Sequence, residues 1–179
     1  MRGRAVAAGV VVIVLVVIAF VQPTPGTVLA SSPLLGRPAP PLTGPILAGP
    51  PLVQSSLRGR FVVVNFFASW CVDCRIEAPQ LSLFHAQHKS GRTVRMVMVA
   101  FADKPNTARA FLASTGATWT SLEDPQGQNT LYWGVRAPPE TFVVAPNGIV
   151  VAKFVGPVTA DALDAVLAGG PRRSAQGAG

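Results

Sequence analysis

Cys71 and Cys74 are the only thiols in a chain of 179 residues, and two positions separate them. Any disulfide within the chain therefore joins these two. A bridge closing so short a loop removes little entropy from the unfolded chain, so it makes a poor staple and points to thiol chemistry. The setting is Ala68-Ser69-Trp70-Cys71-Val72-Asp73-Cys74, directly after the apolar run Phe61 to Phe67 and at the head of a segment with helical spacing. The first turn of a helix leaves backbone N–H groups unpaired and carries about half a positive charge from the macrodipole. Both favour a thiolate on Cys71, the form of sulfur that attacks a disulfide. Cys74, one turn deeper, suits the resolving role: it attacks the mixed disulfide on Cys71 and releases the partner.

Other uses of the pair fit less well. A zinc site needs a second pair of ligands, and the only histidines, His85 and His88, fall on the same helical segment, away from its start. Covalent haem attachment needs a histidine directly after the second cysteine, where Arg75 stands. A peroxidatic cysteine usually follows a threonine three residues earlier, and here that residue is Ala68. Dithiol–disulfide exchange is the chemistry these residues support, with no metal.

The elements that position the pair alternate between strand and helix. FVVVNFF (61–67) is continuous, apolar and β-branched, as in a strand buried on both faces. Arg75 to His88 has helical spacing through Ile76, Leu81, Leu83 and Phe84, and Val94 to Phe101 is a second buried strand. Asn106 to Thr115 reads as a helix with Ala108, Phe111 and Leu112 inward. Thr141–Val144 and Ile149–Phe154 flank Asn147-Gly148, a strong hairpin signal, and Thr159 can cap a last helix over Ala160–Leu167. This order predicts an α/β fold with a mixed sheet flanked by helices.

The ends have a different character. Arg2 and Arg4 precede an unbroken apolar run from Ala5 to Val21, close to the length that spans a bilayer of about 30 Å. The run is long for the core of a signal peptide, which favours a retained anchor. Val28-Leu29-Ala30 before Ser31 nevertheless has the small residues a signal peptidase accepts, so cleavage near Ala30 and secretion stay open. Either way the arginines stay in the cytoplasm and the rest is exported. Residues 22–51 are crowded with proline and read as a semi-extended spacer, whose part LLGRPAPPL leads into a short edge strand. The divisions are thus 1–21 signal-anchor, 22–51 linker, 52–168 domain and 169–179 disordered tail. Arg2, Arg4, Arg172 and Arg173 supply four of the fifteen basic residues, leaving eleven against eight acidic in the interior. That balance is an ordinary solvated surface and gives no footprint for nucleic acid.

The motif and its setting resemble the thioredoxin superfamily, and the wider sequence resembles the CcmG/DsbE branch of the TlpA-like proteins. The resemblance runs from about Leu35 to Leu167 through LLGRPAPPL, VVNFFASWC, Pro79 five residues after Cys74, DPQG, GVRAPPETFVV and NGIVVAKFVGPVT. GVRAPPETF is the most specific piece. The resemblance implies a thioredoxin-like fold and a membrane-anchored thiol:disulfide oxidoreductase of cytochrome c maturation. It implies a cis-proline at Pro139, shaping the groove, and a bend at Pro79. It also places Glu140 near the cysteines, where a carboxylate could accept the proton of Cys74; a solvated charge at a strand end is the alternative. Asn65 stands where thioredoxin carries a buried acid, which adds to the case for Glu140. Trp70 reads as a lid over one side of the site or as plain packing.

Two departures stand out. Asp73 replaces the usual proline; its charge disfavours a thiolate on Cys74, whereas Arg75 favours one. Pro138 before Pro139 leaves no N–H for an extended substrate at a position where relatives bind substrate backbone.

Three functions follow. The first is a reductase of disulfides in exported proteins, with apocytochrome c as the implied substrate. Its electrons would come from a membrane donor of the CcdA/DsbD kind, since the chain has no nicotinamide or flavin motif and needs no cofactor. The second is a general disulfide oxidase. The third is a thioredoxin-fold binding module that holds a maturation partner without turnover.

Overall fold

A seven-stranded mixed sheet forms the scaffold of the computed structural model, which describes residues 28–169. In chain order the strands are β1 (Val28–Leu29), β2 (Ile46–Ala48), β3 (Phe61–Phe67), β4 (Val94–Ala100), β5 (Thr120–Glu123), β6 (Glu140–Val144) and β7 (Val150–Val155). The helices are α1 (Val72–His88), α2 (Pro105–Ser114), α3 (Gln128–Trp133) and α4 (Ala160–Leu167), with a 3-10 turn at Gln54–Leu57. Across the sheet the order is β1-β7-β6-β3-β4-β5-β2. This is the thioredoxin-like α/β arrangement that the sequence predicts.

FVVVNFF occupies the centre because every residue from Val62 to Phe67 is buried, and only a strand covered on both faces takes such a run. It pairs in parallel with β4 and antiparallel with β6. The steps β3-α1-β4 and β4-α2-β5 move the same way across the sheet, so right-handed crossovers put α1 and α2 on one face. That face buries Val63, Phe67, Met96, Met98 and Phe154 under α1, α2 and α4. The opposite face buries Val62, Val64, Phe66, Val97 and Phe142, with Trp133 of α3 and Leu42 of the proline-rich stretch. Thr159 caps α4, its Oγ1 accepting from the Ala162 N–H at 3.2 Å.

The structure departs from the expected elements in three places. It contains β5 and α3, which the periodicity did not mark: β5 has one large apolar residue, Leu122, and α3 spans only 6 residues. Asp124 organises α3 instead, accepting the N–H groups of Asn129 (3.1 Å) and Thr130 (2.8 Å). On α1, Ile76 and Leu83 are exposed, and the buried stripe is Cys74, Glu77, Ala78, Leu81 and Phe84. Finally, within residues 28–51 the proline-rich stretch packs on the domain and does not stand off as a spacer. It supplies β1 and β2 at the two sheet edges, where proline is tolerated, and buries Leu42 and Leu47. Gly44 and Gly49, both at positive φ, let it run close beside β5; a Cβ there would collide with the carbonyl oxygens of Glu123 and Trp119.

Among the described residues no helix is long and apolar enough to cross a membrane. The expected anchor at 1–21, residues 22–27 and residues 170–179 of the tail lie outside the described residues.

Candidate active site

Strand β3 ends at Phe67 on a buried face, and the chain turns immediately into α1. Cys71 is the N-cap of that helix: its backbone is extended, and its Sγ accepts the N–H of Cys74 at 3.1 Å. One of the unpaired donors of the first turn is therefore aimed at the sulfur itself, which stabilises negative charge there. Cys71 and Cys74 form a disulfide with Cα atoms 5.3 Å apart. Cys71 keeps 6% exposure against 1% for Cys74, so Cys71 is the less deeply buried of the pair and the better placed for an incoming disulfide.

Asp103, three residues past the end of β4, holds the approach to the cysteines. Its carboxylate accepts the backbone N–H of Ser69 at 2.6 Å and the Ser69 hydroxyl at 3.0 Å, and also the Thr107 hydroxyl at 2.9 Å. Arg75 reaches back from α1 to the Ser69 carbonyl at 2.5 Å and lies over the Phe111 ring. Trp70 is 57% exposed; its Nε1 donates to the Ala102 carbonyl at 3.3 Å, and its ring meets Phe101 edge-on. Ala102 has φ 43, a left-handed backbone unusual for a residue with a Cβ. The turn is thus tied to residues 101–103, which follow β4. Asp73 is exposed in the first turn of α1.

On the other side of the cysteines lies the loop 134–139. The Pro138–Pro139 peptide is cis, and the Pro138 carbonyl oxygen lies 3.5 Å from Cys71 Sγ. Glu140 follows at the start of β6, but its side chain shares the sheet face of Phe66 and Phe142, opposite the face that carries the cysteines. Its Oε1 accepts the backbone N–H groups of Arg136 (2.9 Å) and Ala137 (3.4 Å), and its Oε2 pairs with Lys153 Nζ at 2.6 Å. Lys153, buried in β7, also donates to the Gly134 carbonyl at 3.4 Å and sits 5.0 Å from the Phe142 ring centroid. The expected place of Glu140 beside Cys74 is therefore corrected: period-two alternation along β6 turns it away, and it braces the loop 134–139.

The acid on the cysteine face is one the sequence reading passed over. Glu77, 1% exposed, lies one turn below Cys74 on the buried stripe of α1; at that spacing Cβ atoms stand about 5–6 Å apart. Asn65 of β3 donates to Glu77 Oε1 at 2.8 Å and to Thr141 Oγ1 at 2.9 Å, and the Val158 N–H donates to Glu77 Oε2 at 3.2 Å. Burial lifts the Glu77 carboxyl from its ordinary 4.5 to about 8; the donors from Asn65 and Val158 oppose the rise, and the charge of Asp73 adds to it. The signal for Glu77 was its spacing: it lies three residues after Cys74 and four before Leu81, on the stripe those residues define.

The arrangement has relatives. The Redoxin family model matches residues 35–167. The thiol:disulfide interchange protein HelX of Rhodobacter capsulatus is 38% identical over 143 residues, covering 76% of this chain and 78% of its own. The thiol:disulfide interchange protein DsbE of Allochromatium vinosum is 38% identical over 132 residues, covering 72% and 71%. Among solved structures, a secreted Mycobacterium tuberculosis disulfide oxidoreductase homologous to Escherichia coli DsbE superposes with a TM-score of 0.61 at 26% identity, over 71% of this chain and 94% of that one. With a Cys-x-x-Cys at a helix N-cap against a cis-proline loop, and this match over most of its length, the chain belongs to the Redoxin family, among the DsbE-type thiol:disulfide interchange proteins.

Proposed function

We propose that the protein is an extracytoplasmic thiol:disulfide oxidoreductase that reduces disulfides of exported proteins, with apocytochrome c as substrate. The residues at the site support each step. The thiolate of Cys71, facing the Cys74 N–H, attacks one sulfur of the substrate disulfide; that S–S bond breaks, one substrate thiolate leaves, and a mixed disulfide forms on Cys71. Cys74 then gives up its proton and attacks Cys71 Sγ, which releases the second substrate thiolate and leaves the Cys71–Cys74 disulfide. Two electrons have passed to the substrate. Glu77 titrates near 8, so its deprotonated form, which grows as pH rises toward 8, is suited to take the Cys74 proton in this direction and to return it in the other.

The reductive direction rests on the surroundings of Cys71. The Pro138 carbonyl presents the negative end of its dipole 3.5 Å from the sulfur, and Asp73 adds an exposed negative charge in the same turn. Both work against a thiolate, and strong oxidants of this kind depend on a stabilised reduced form. Re-reduction falls to a membrane donor of the CcdA/DsbD type, and the apolar run Ala5–Val21 serves as the anchor that keeps the domain beside it on the outer side of the cytoplasmic membrane. The deciding experiment is a glutathione titration of the soluble domain. A potential well below about −120 mV, the value of a strong oxidant, is the expected result. A value near it assigns the protein to disulfide donation instead.

A further inference from the structure

Strand β1 brings the N-terminal end of the described chain to the same pole as the cysteines. Val28 pairs with Val155, Val155 with Glu140, and Glu140 with Phe66, so these four residues form one row across β1, β7, β6 and β3. At about 4.8 Å between strands, the row spans roughly 14 Å. It lies at the active-site end of the sheet: β3 runs on from Phe66 into the cysteine turn, and the Gly156 N–H bonds the Pro139 carbonyl at 3.0 Å. β1 is antiparallel to β7 and descends from Val28 toward Leu29, so the chain enters the sheet from that end. The hairpin tip at Asn147 marks the opposite pole.

We propose that the domain stands on the bilayer with its Cys71–Cys74 pole toward the lipid, so that the dithiol faces a partner embedded in the membrane. This rests on reading Ala5–Val21 as a retained anchor. Between Val21 and Val28 only residues 22–27 intervene. Seven Cα–Cα steps cover at most about 24 Å. The headgroup layer consumes roughly 5–7 Å of that reach. Turning the Asn147 pole to the membrane would require the same segment to climb the length of the sheet as well, about seven residues at 3.3 Å, or roughly 23 Å. The two requirements sum to more than the segment can span, whereas the upright orientation needs only the headgroup distance. The pole so presented carries the exposed apolar side chains of Trp70 and Val72, which flank Cys71 in the chain, and of Val155 at the end of β7. Soluble substrates then reach Cys71 from the side, and a membrane-embedded dithiol donor reaches it directly.

The test uses the full-length chain in vesicles of phosphatidylethanolamine and phosphatidylglycerol that carry an energy-transfer acceptor on the headgroups. A donor fluorophore is introduced by a non-natural amino acid at Val72 in one preparation and at Asn147 in another, with vesicle flotation measured on both. The expected result is flotation of both proteins and transfer several-fold more efficient from position 72 than from position 147. Flotation with equal or reversed efficiencies overturns the orientation and leaves the anchor standing. Failure to float overturns the anchor and the orientation together.

Discussion

Asn65 Nδ2 lies 2.8 Å from Glu77 Oε1, and this bond ties the centre of the sheet to the helix that begins at the cysteines. The pair explains how the site keeps a buried acid while the central strand carries an amide: the acid comes from α1, and Asn65 serves as its donor. A carboxyl so placed titrates at about 8 in the folded chain and near 4.5 when exposed. The folded protein therefore holds a proton that the unfolded chain releases, and folding stability falls as pH rises from about 4.5 to about 8, by an amount on the order of 5 kcal/mol. Denaturant unfolding of the disulfide form across that window should show the decline. Glu77→Gln should flatten it, and should also remove the inflection near pH 8 from the rate at which Cys74 resolves a mixed disulfide. A Glu77→Gln protein with the wild-type slope and inflection would count against this role.

Much of this scaffold was legible beforehand because the central elements obey strong local rules. FVVVNFF reads as a strand buried on both faces, Asn147-Gly148 forms a turn between β6 and β7, and Cys71 lies at the head of α1. The reading lost ground where tertiary position outweighed local pattern. Glu77 looks like a solvated helix residue until its register with Cys74 and Leu81 is followed. Glu140 adjoins the cis-proline in sequence, yet strand alternation sends its carboxylate to the far face. β5 is stabilised by its pairing with β2 and β4, a non-local feature that Thr-Ser-Leu-Glu does not announce.

Lys153 and Glu140 form a buried ion pair whose loss should be costly in one specific way. Lys153→Met removes the cation 2.6 Å from the carboxylate and leaves Glu140 charged and enclosed. Breaking one side of such a pair costs about 3–5 kcal/mol, largely as the penalty on the abandoned charge. Lys153→Met with Glu140→Gln should regain part of this, because the amide oxygen still accepts from Arg136 and Ala137 and no charge is stranded. Chemical denaturation of the two variants measures the difference. Equal stability of the single and double variants would show that the buried charge is not what matters.

Asp103 should control the order of the turn before Cys71. Asp103→Ala removes acceptors from the Ser69 N–H, the Ser69 hydroxyl and the Thr107 hydroxyl. Hydrogen bonds to a charged group contribute about 1.5–3 kcal/mol each and are not additive in a shared network, so a net loss of roughly 2–3 kcal/mol is expected. Amide hydrogen exchange at Ser69 and Trp70 should accelerate, while exchange in β6 and β7 at the other side of the site should hold its wild-type rate relative to global unfolding. Uniform acceleration everywhere would mean that Asp103 supports the whole fold and not this turn.

The last prediction concerns Asp73 and the order of the two sulfurs. In Cys74→Ala, Cys71 should alkylate rapidly at neutral pH and trap mixed disulfides, because it is the more exposed sulfur and sits at the N-cap of α1. Cys74 in Cys71→Ala should react slowly, since it is 1% exposed. Asp73 is exposed, so water and salt screen its effect on either thiolate. Its negative charge still opposes thiolate formation, which destabilises the reduced form relative to the disulfide. Asp73→Asn relieves that opposition and should make the potential less negative, by roughly 10–30 mV on the scale where about 30 mV corresponds to 1.4 kcal/mol. The same substitution should speed alkylation of Cys71 at pH 7 by a small factor. A potential that moves to more negative values in Asp73→Asn, or faster labelling of Cys74 than of Cys71, would reverse the assignment of roles.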